Sequence, residues 1–96
     1  DGHTASLFPG AAKLAAATDM QSGRTCMGLA PLTAPHERMS LTLPAILDSR
    51  HIFLHITGRE KKAVLEKAMA DGPAEEMPIR FVLRQQRVPL SVYWAP

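Results

Sequence analysis

Four side chains in this sequence have types and spacing suited to acid–base chemistry on an anionic substrate: Asp1, His3, Arg38 and Lys61. In Asp1-Gly2-His3, a glycine between an acid and an imidazole permits a sharp strand-to-helix turn. That turn would set His3 near a helix N-terminus, at the sheet edge where ligands bind in open α/β folds. A helix N-terminus disfavours imidazolium, so His3 would stay neutral and serve as a base. Asp1 would orient its ring or meet the substrate. The same spacing also fits an Asp-Gly turn followed by a helix-capping histidine.

Thr57-Gly58-Arg59-Glu60-Lys61 places a glycine turn after an apolar run, with Lys61 in the first turn of a helix. Backbone N–H groups and an ammonium together make an anion site there. A solvated first-turn lysine is the plainer alternative. Arg38 opens a predicted strand and can grip phosphate or carboxylate bidentately; a surface ion pair with Glu37 is its alternative.

Other residues invite less chemistry. Cys26 is the single cysteine, which excludes an intramolecular disulfide and argues against a cysteine-based zinc site. It reads as a small apolar residue. His36, His51 and His55 have no metal-ligand spacing, so structural roles are expected for them. The five methionines read as core filler. Arg80, Arg84 and Arg87 would form a basic stripe on a helix, either a solvated face or a docking stripe for RNA or another polyanion. Aromatic residues make up only 5% of the chain, which leaves few platforms for base stacking.

The elements that must position these residues are legible from patterning. Thr4–Phe8 is predicted as a turn of helix, Ala11–Ala17 as a short helix and Thr18–Gly23 as a loop. Thr25–Ala30 is a predicted strand, and Pro31 and Pro35 bracket an irregular stretch. Arg38–Leu43 is a further strand, followed by a short helix over Pro44–Ser49, since proline suits a first helical turn. His51–Thr57 is nearly continuous in apolar residues, which predicts a strand buried on both faces. Thr57 and Glu60 have capping-box spacing. Val64, Leu65, Ala68 and Met69 then share one helical face, and Gly72-Pro73 ends the helix. Pro78–Gln85 is a helix and Leu90–Trp94 a last strand, placed at an edge by its flanking prolines. Strands alternating with helices, apparently parallel, predict an α/β fold.

Composition sets the outer bounds. Ninety-six residues allow one domain. Eleven Lys and Arg against nine Asp and Glu leave a net charge of +2, too small a surplus to imply nucleic acid or an acidic membrane. No apolar run approaches the roughly 20 residues of a membrane span, and no segment reads as a signal peptide. A reducing, cytoplasmic setting is the expectation.

Asp1–Gly10, DGHTASLFPG, resembles the signature of the 6-phosphogluconolactonase family. Arg38–Ala45, RMSLTLPA, resembles that family's later R-[IM]-[ST]-L-T-L-P segment. Gly58-Arg59-Glu60-Lys61 matches its G-x-x-K turn, and Val88–Pro96 resembles its closing strand. These blocks keep the family's order and span nearly the whole chain. The family's N-terminal half, with its Gly-Met-Gly-Pro turn, has no counterpart here. Residues 1–96 are therefore expected to be the C-terminal portion of a single Rossmann-like, parallel-sheet domain with helices on both faces. By themselves they are expected to be inactive and poorly stable, because small chains bury a smaller fraction of their surface.

The resemblance implies hydrolysis of 6-phospho-D-glucono-1,5-lactone to 6-phosphogluconate in the oxidative pentose phosphate pathway. It implies no metal and no organic cofactor. The implied partner is a small sugar-phosphate lactone, with no nucleic acid or membrane, in a monomer or homodimer. His3 would activate water, Asp1 would position His3 or the sugar hydroxyls, Lys61 would bind the 6-phosphate, and Arg38 would assist at the phosphate or at developing charge. Glucosamine-6-phosphate deaminases share the Asp-Gly-His turn but continue with Asn-Glu-Pro. Leu7-Phe8-Pro9 stands there instead, without the deaminase's glutamate.

Overall fold

In the computed structural model, which describes residues 1–32 and 36–96, the chain forms four short strands and four short helices. It runs through α1 (Leu14–Thr18), β1 (Cys26–Leu29), β2 (Arg38–Leu41), α2 (Leu43–Leu47), β3 (Ile52–Thr57), α3 (Arg59–Met69), a 3₁₀ turn (Ala74–Glu76), α4 (Ile79–Arg84) and β4 (Leu90–Ala95). Pro35 of the predicted irregular stretch lies outside the described residues.

β3 and β4 pair in parallel, from Ile52 opposite Leu90 to Thr57 opposite Ala95. The chain between them folds as α3 and α4, the helical crossover that a parallel pair requires. This is the α/β unit that the pattern predicts. β1 and β2 depart from the parallel expectation. They pair antiparallel, Cys26 opposite Leu41 and Leu29 opposite Arg38. The link from Leu29 to Arg38 is shorter than the dozen or so residues of a parallel crossover, so the chain can only turn back on itself.

Two apolar clusters hold these units. Leu43, Leu47, Ala68, Met77, Ile79, Val82 and Val88 form one, beneath the parallel pair. Leu7, Ala11, Leu14, Ala17 and Leu29 form the other, beneath the hairpin. Ile46 of α2 packs against both. The side chain of Thr42 caps α2 by accepting from the backbone N–H of Ala45, with proline in the first turn as expected.

Several local expectations are corrected. β3 alternates along its length, with Ile52, Leu54 and Ile56 half-buried and Phe53, His55 and Thr57 exposed. Within this chain the α3–α4 layer covers only one face of the strand. No capping box forms at α3. Gly58 occupies the cap position without a side-chain bond, because Thr57 is still the last residue of β3 and the turn belongs to the glycine. Thr4–Phe8 is a bridged turn, in which the Leu7 N–H donates to the Thr4 carbonyl at 2.8 Å. Ala5 has φ of 50° there, a left-handed conformation that a helix cannot continue through. α1 starts three residues later than predicted, with Ala11, Leu14 and Ala17 inward. Cys26 is exposed. Among the methionines, Met77 is core, whereas Met39 and Met69 lie at the surface.

Candidate active site

The Asp1–Phe8 turn is built around its own side chains. The Asp1 carboxylate accepts from the backbone N–H of His3 at 3.1 Å. It also lies 2.7 Å from Nδ1 of the same ring. A carboxylate only accepts, so Nδ1 carries the proton and the lone pair rests on Nε2. The imidazole stacks on Phe8, centroids 4.5 Å apart at 19°. The Arg38 guanidinium carbon sits 5.4 Å from the centre of the same phenyl ring. One aromatic ring thus joins the imidazole and the arginine. A cation over an aromatic face is attracted by the ring quadrupole.

His3 is held below its ordinary pKa. Partial burial is the largest cause, and Arg38 and Lys61 act in the same direction. Since Thr4–Phe8 is not helical, the helix dipole expected from the sequence has no part in keeping His3 neutral. Burial and nearby cations do that work.

Two contacts fix the turn to the rest of the molecule. The Gly2 carbonyl accepts from the Ile79 N–H at the start of α4, at 2.8 Å. The Ser6 N–H donates to Ser40 Oγ in β2 at 3.0 Å. Gly2 has φ of 74° and lies against Met77, whose Cβ would stand 2.8 Å from any Cβ added at position 2. The glycine is therefore required both by its backbone conformation and by close approach.

Lys61 arrives from the other unit. β3 ends at Gly58, whose N–H donates to the Ala95 carbonyl at 2.9 Å. Its own carbonyl accepts from Trp94 Nε1 at 2.8 Å. Lys62 Nζ lies 4.5 Å from the centre of the Trp94 ring. From this pinned turn, Lys61 projects into a cleft of about 250 Å³ that is also lined by Asp1, His3 and Thr4. Leu54, Ile56, Val64, Leu65 and Ile79 supply its apolar wall. Three of the four predicted site residues therefore meet in one cleft. Arg38 does not line it; its guanidinium lies against Phe8, the ring on which His3 stacks.

Phe8 and Ile79 were not singled out by type or spacing. Phe8 stands inside the motif itself, which was the available signal. The basic stripe is corrected. Arg80 is buried and donates to the carbonyls of Ala68, Pro73 and Lys67. Arg84 donates to the Ala70 carbonyl, and Arg87 lies beyond the end of α4. No continuous basic face remains for a polyanion. His51 pairs with Ser91 Oγ at 2.8 Å and stacks on Phe53. Among the described residues, no three His, Cys, Asp or Glu side chains converge as a metal site. No helix among them is long and apolar enough to cross a membrane.

The chain thus presents an acid–histidine pair and a lysine at one cleft of an α/β frame. The family described as glucosamine-6-phosphate isomerases/6-phosphogluconolactonase matches residues 1–94; the chain belongs to it. Within that family its relatives are 6-phosphogluconolactonases. The one from Neisseria meningitidis serogroup A is 48% identical over 95 residues, 99% of this chain and 41% of the relative. The one from Rhizobium meliloti is 43% identical over 96 residues, 100% of this chain and 41% of the relative. The crystal structure of a 6-phosphogluconolactonase from Shewanella baltica superposes with a TM-score of 0.92 at 43% identity, covering 100% of this chain and 40% of that one. The Trypanosoma brucei enzyme gives 0.73 at 30% identity, over 99% of this chain and 36% of its own. The chain thus spans about two fifths of the length of these relatives.

Proposed function

We propose that the full-length protein hydrolyses 6-phospho-D-glucono-1,5-lactone to 6-phosphogluconate in the cytoplasm, with these residues supplying the C-terminal portion of its domain. The observation that carries this reading is the Asp1–His3 pair, with Nε2 left unprotonated beside a cleft that also holds Lys61. A lactone is an activated ester, so a general base and stabilisation of the developing oxyanion suffice.

In this mechanism Nε2 of His3 takes a proton from water as the oxygen attacks the lactone carbonyl. The tetrahedral intermediate collapses with loss of the ring oxygen, which receives the proton back from His3. One water is consumed, and the products are a free hydroxyl and a carboxylic acid, which releases its proton to solvent as the carboxylate forms. Asp1 holds the reactive tautomer and stabilises the imidazolium while it lasts. Lys61 binds the 6-phosphate as a charge-assisted donor. Arg38 lies against Phe8 and outside the cleft lining, so its part is to bias His3 toward the neutral form.

The deaminase alternative needs an acid to assist the histidine. Where the deaminases carry that acid as the glutamate of Asn-Glu-Pro, this chain has Leu7-Phe8-Pro9, with Phe8 stacked on the His3 ring, which favours the lactonase. Hydrolysis of the phosphorylated lactone by the full-length protein, followed as acid release with His3→Ala as the control, tests the reading. Equal turnover by both proteins would refute it.

A further inference from the structure

We propose that Arg80 is a positioning residue for this reaction, setting where Lys61 stands relative to His3 by clamping the C-terminal end of α3. The inference rests on the phosphate-binding role proposed above for Lys61.

Two adjacent residues at the start of α4 hold the two halves of the cleft. The Ile79 N–H binds the Gly2 carbonyl at 2.8 Å, so α4 carries the Asp1-Gly2-His3 turn directly. Arg80 reaches the other way. Its Nε donates to the Ala68 carbonyl at 3.0 Å, Nη2 to Lys67 at 3.1 Å and Nη1 to Pro73 at 2.9 Å. The first two are last-turn carbonyls of α3. Last-turn carbonyls carry the negative end of the helix dipole; that of Lys67 also accepts from the Ala70 N–H at 3.2 Å. The third lies in the turn that follows. That turn is moulded around the guanidinium: a Cβ at Gly72, whose φ is 152°, would fall 2.5 Å from Nη1.

The chemistry of the clamp is specific. Arg80 is buried and its hydrogen-bond partners are backbone carbonyls. An aliphatic residue would fill the space but remove all three side-chain donors, leaving Lys67 and Pro73 only the backbone N–H groups of Ala70 and Glu76. Lysine would keep the charge but not the planar fork of donors. Lys61 lies about 10 Å up the helix axis from the clamped end. A helix moves as a rigid rod, so a tilt at Lys67 and Ala68 displaces Lys61. The opposite end of α3 hangs on β4 through Gly58. Arg80 therefore decides the tilt of α3 against α4, and α4 bears His3's turn.

The test uses the full-length protein with Arg80→Lys and, as a second approach to the same clamp, Gly72→Ala. Each is measured alone and with Lys61→Ala, on the phosphorylated lactone and on unphosphorylated glucono-1,5-lactone, with folding followed by circular dichroism. Arg80→Lys is expected to raise KM for the phosphorylated lactone on the order of tenfold. Its kcat, and its KM for the unphosphorylated lactone, should stay near wild type. In the Lys61→Ala background neither clamp variant should raise KM further, because the group they misplace is gone. A purely structural role would instead lower the active fraction on both substrates alike with KM unchanged. That result, or independent multiplication of the two KM effects, overturns the proposal. A wild-type protein that turns over neither lactone overturns the proposed function, and the positioning role with it.

Discussion

The two regions that bring positive charge toward His3 are built differently. Lys61 stands on a helix that grows out of the parallel pair and is tied down at both ends, by Ala95 and Trp94 at Gly58 and by Arg80 at Lys67 and Ala68. Arg38 opens an exposed strand of the antiparallel hairpin, and its contact toward the site is the face of Phe8. A cation on a fixed helix lining the cleft can bind a ligand group at a set distance. A cation against an aromatic ring and outside the cleft acts on the base through its field. Residue type marks both as candidate anion binders, and their supports put Lys61 in the cleft lining and Arg38 outside it.

Substitutions can break or sharpen this contrast. Replacing His3 by alanine removes the base that both regions serve, and kcat should fall by about 10³-fold with KM nearly unchanged, as read by steady-state kinetics. Lys61→Ala should raise KM for the phosphorylated lactone by about 10- to 100-fold, the worth of a charge-assisted hydrogen bond, and leave the unphosphorylated lactone unaffected. A comparable loss on both lactones would show that the lysine does not recognise phosphate.

Gly2→Ala tests the turn that the two regions share. The left-handed φ and the approach to Met77 predict a loss of about 1–3 kcal/mol, visible as a lower urea midpoint of the full-length protein. Arg38→Met should have the smallest effect, and it lies in the pH profile. The guanidinium disfavours protonation of His3, so its removal raises the His3 pKa. The neutral base is then lost at higher pH, and the acid limb of kcat/KM should move upward. A large rise in KM with an unmoved acid limb would return Arg38 to direct phosphate binding.

Much of the local structure was legible. Pro44 opens α2, Gly72-Pro73 follows α3, and the apolar run of β3 lies where the pattern put it. Errors came where a local signal competed with a partner distant in sequence. Thr57 and Glu60 have the spacing of a cap, yet β4 keeps Thr57 in its ladder. Thr4–Phe8 has helical composition, yet Ser40 takes the Ser6 N–H. Arg80 and Arg84 have the spacing of a solvated face, yet the end of α3 supplies carbonyls that draw Arg80 inside.

The sequence by itself determined the chemical identity of the site. Asp1, Gly2 and His3 are neighbours, and a carboxylate two residues from an imidazole can reach Nδ1 through one turn. It also determined the α/β class, because periodicity and turn residues act over a few positions. Only the tertiary structure decided that Lys61 shares the cleft with His3, that Arg38 lies against Phe8, and that Arg80 binds the end of α3. Those relations join residues tens of positions apart. They depend on how two apolar clusters pack and on where unpaired carbonyls and N–H groups find partners, and no local pattern encodes that.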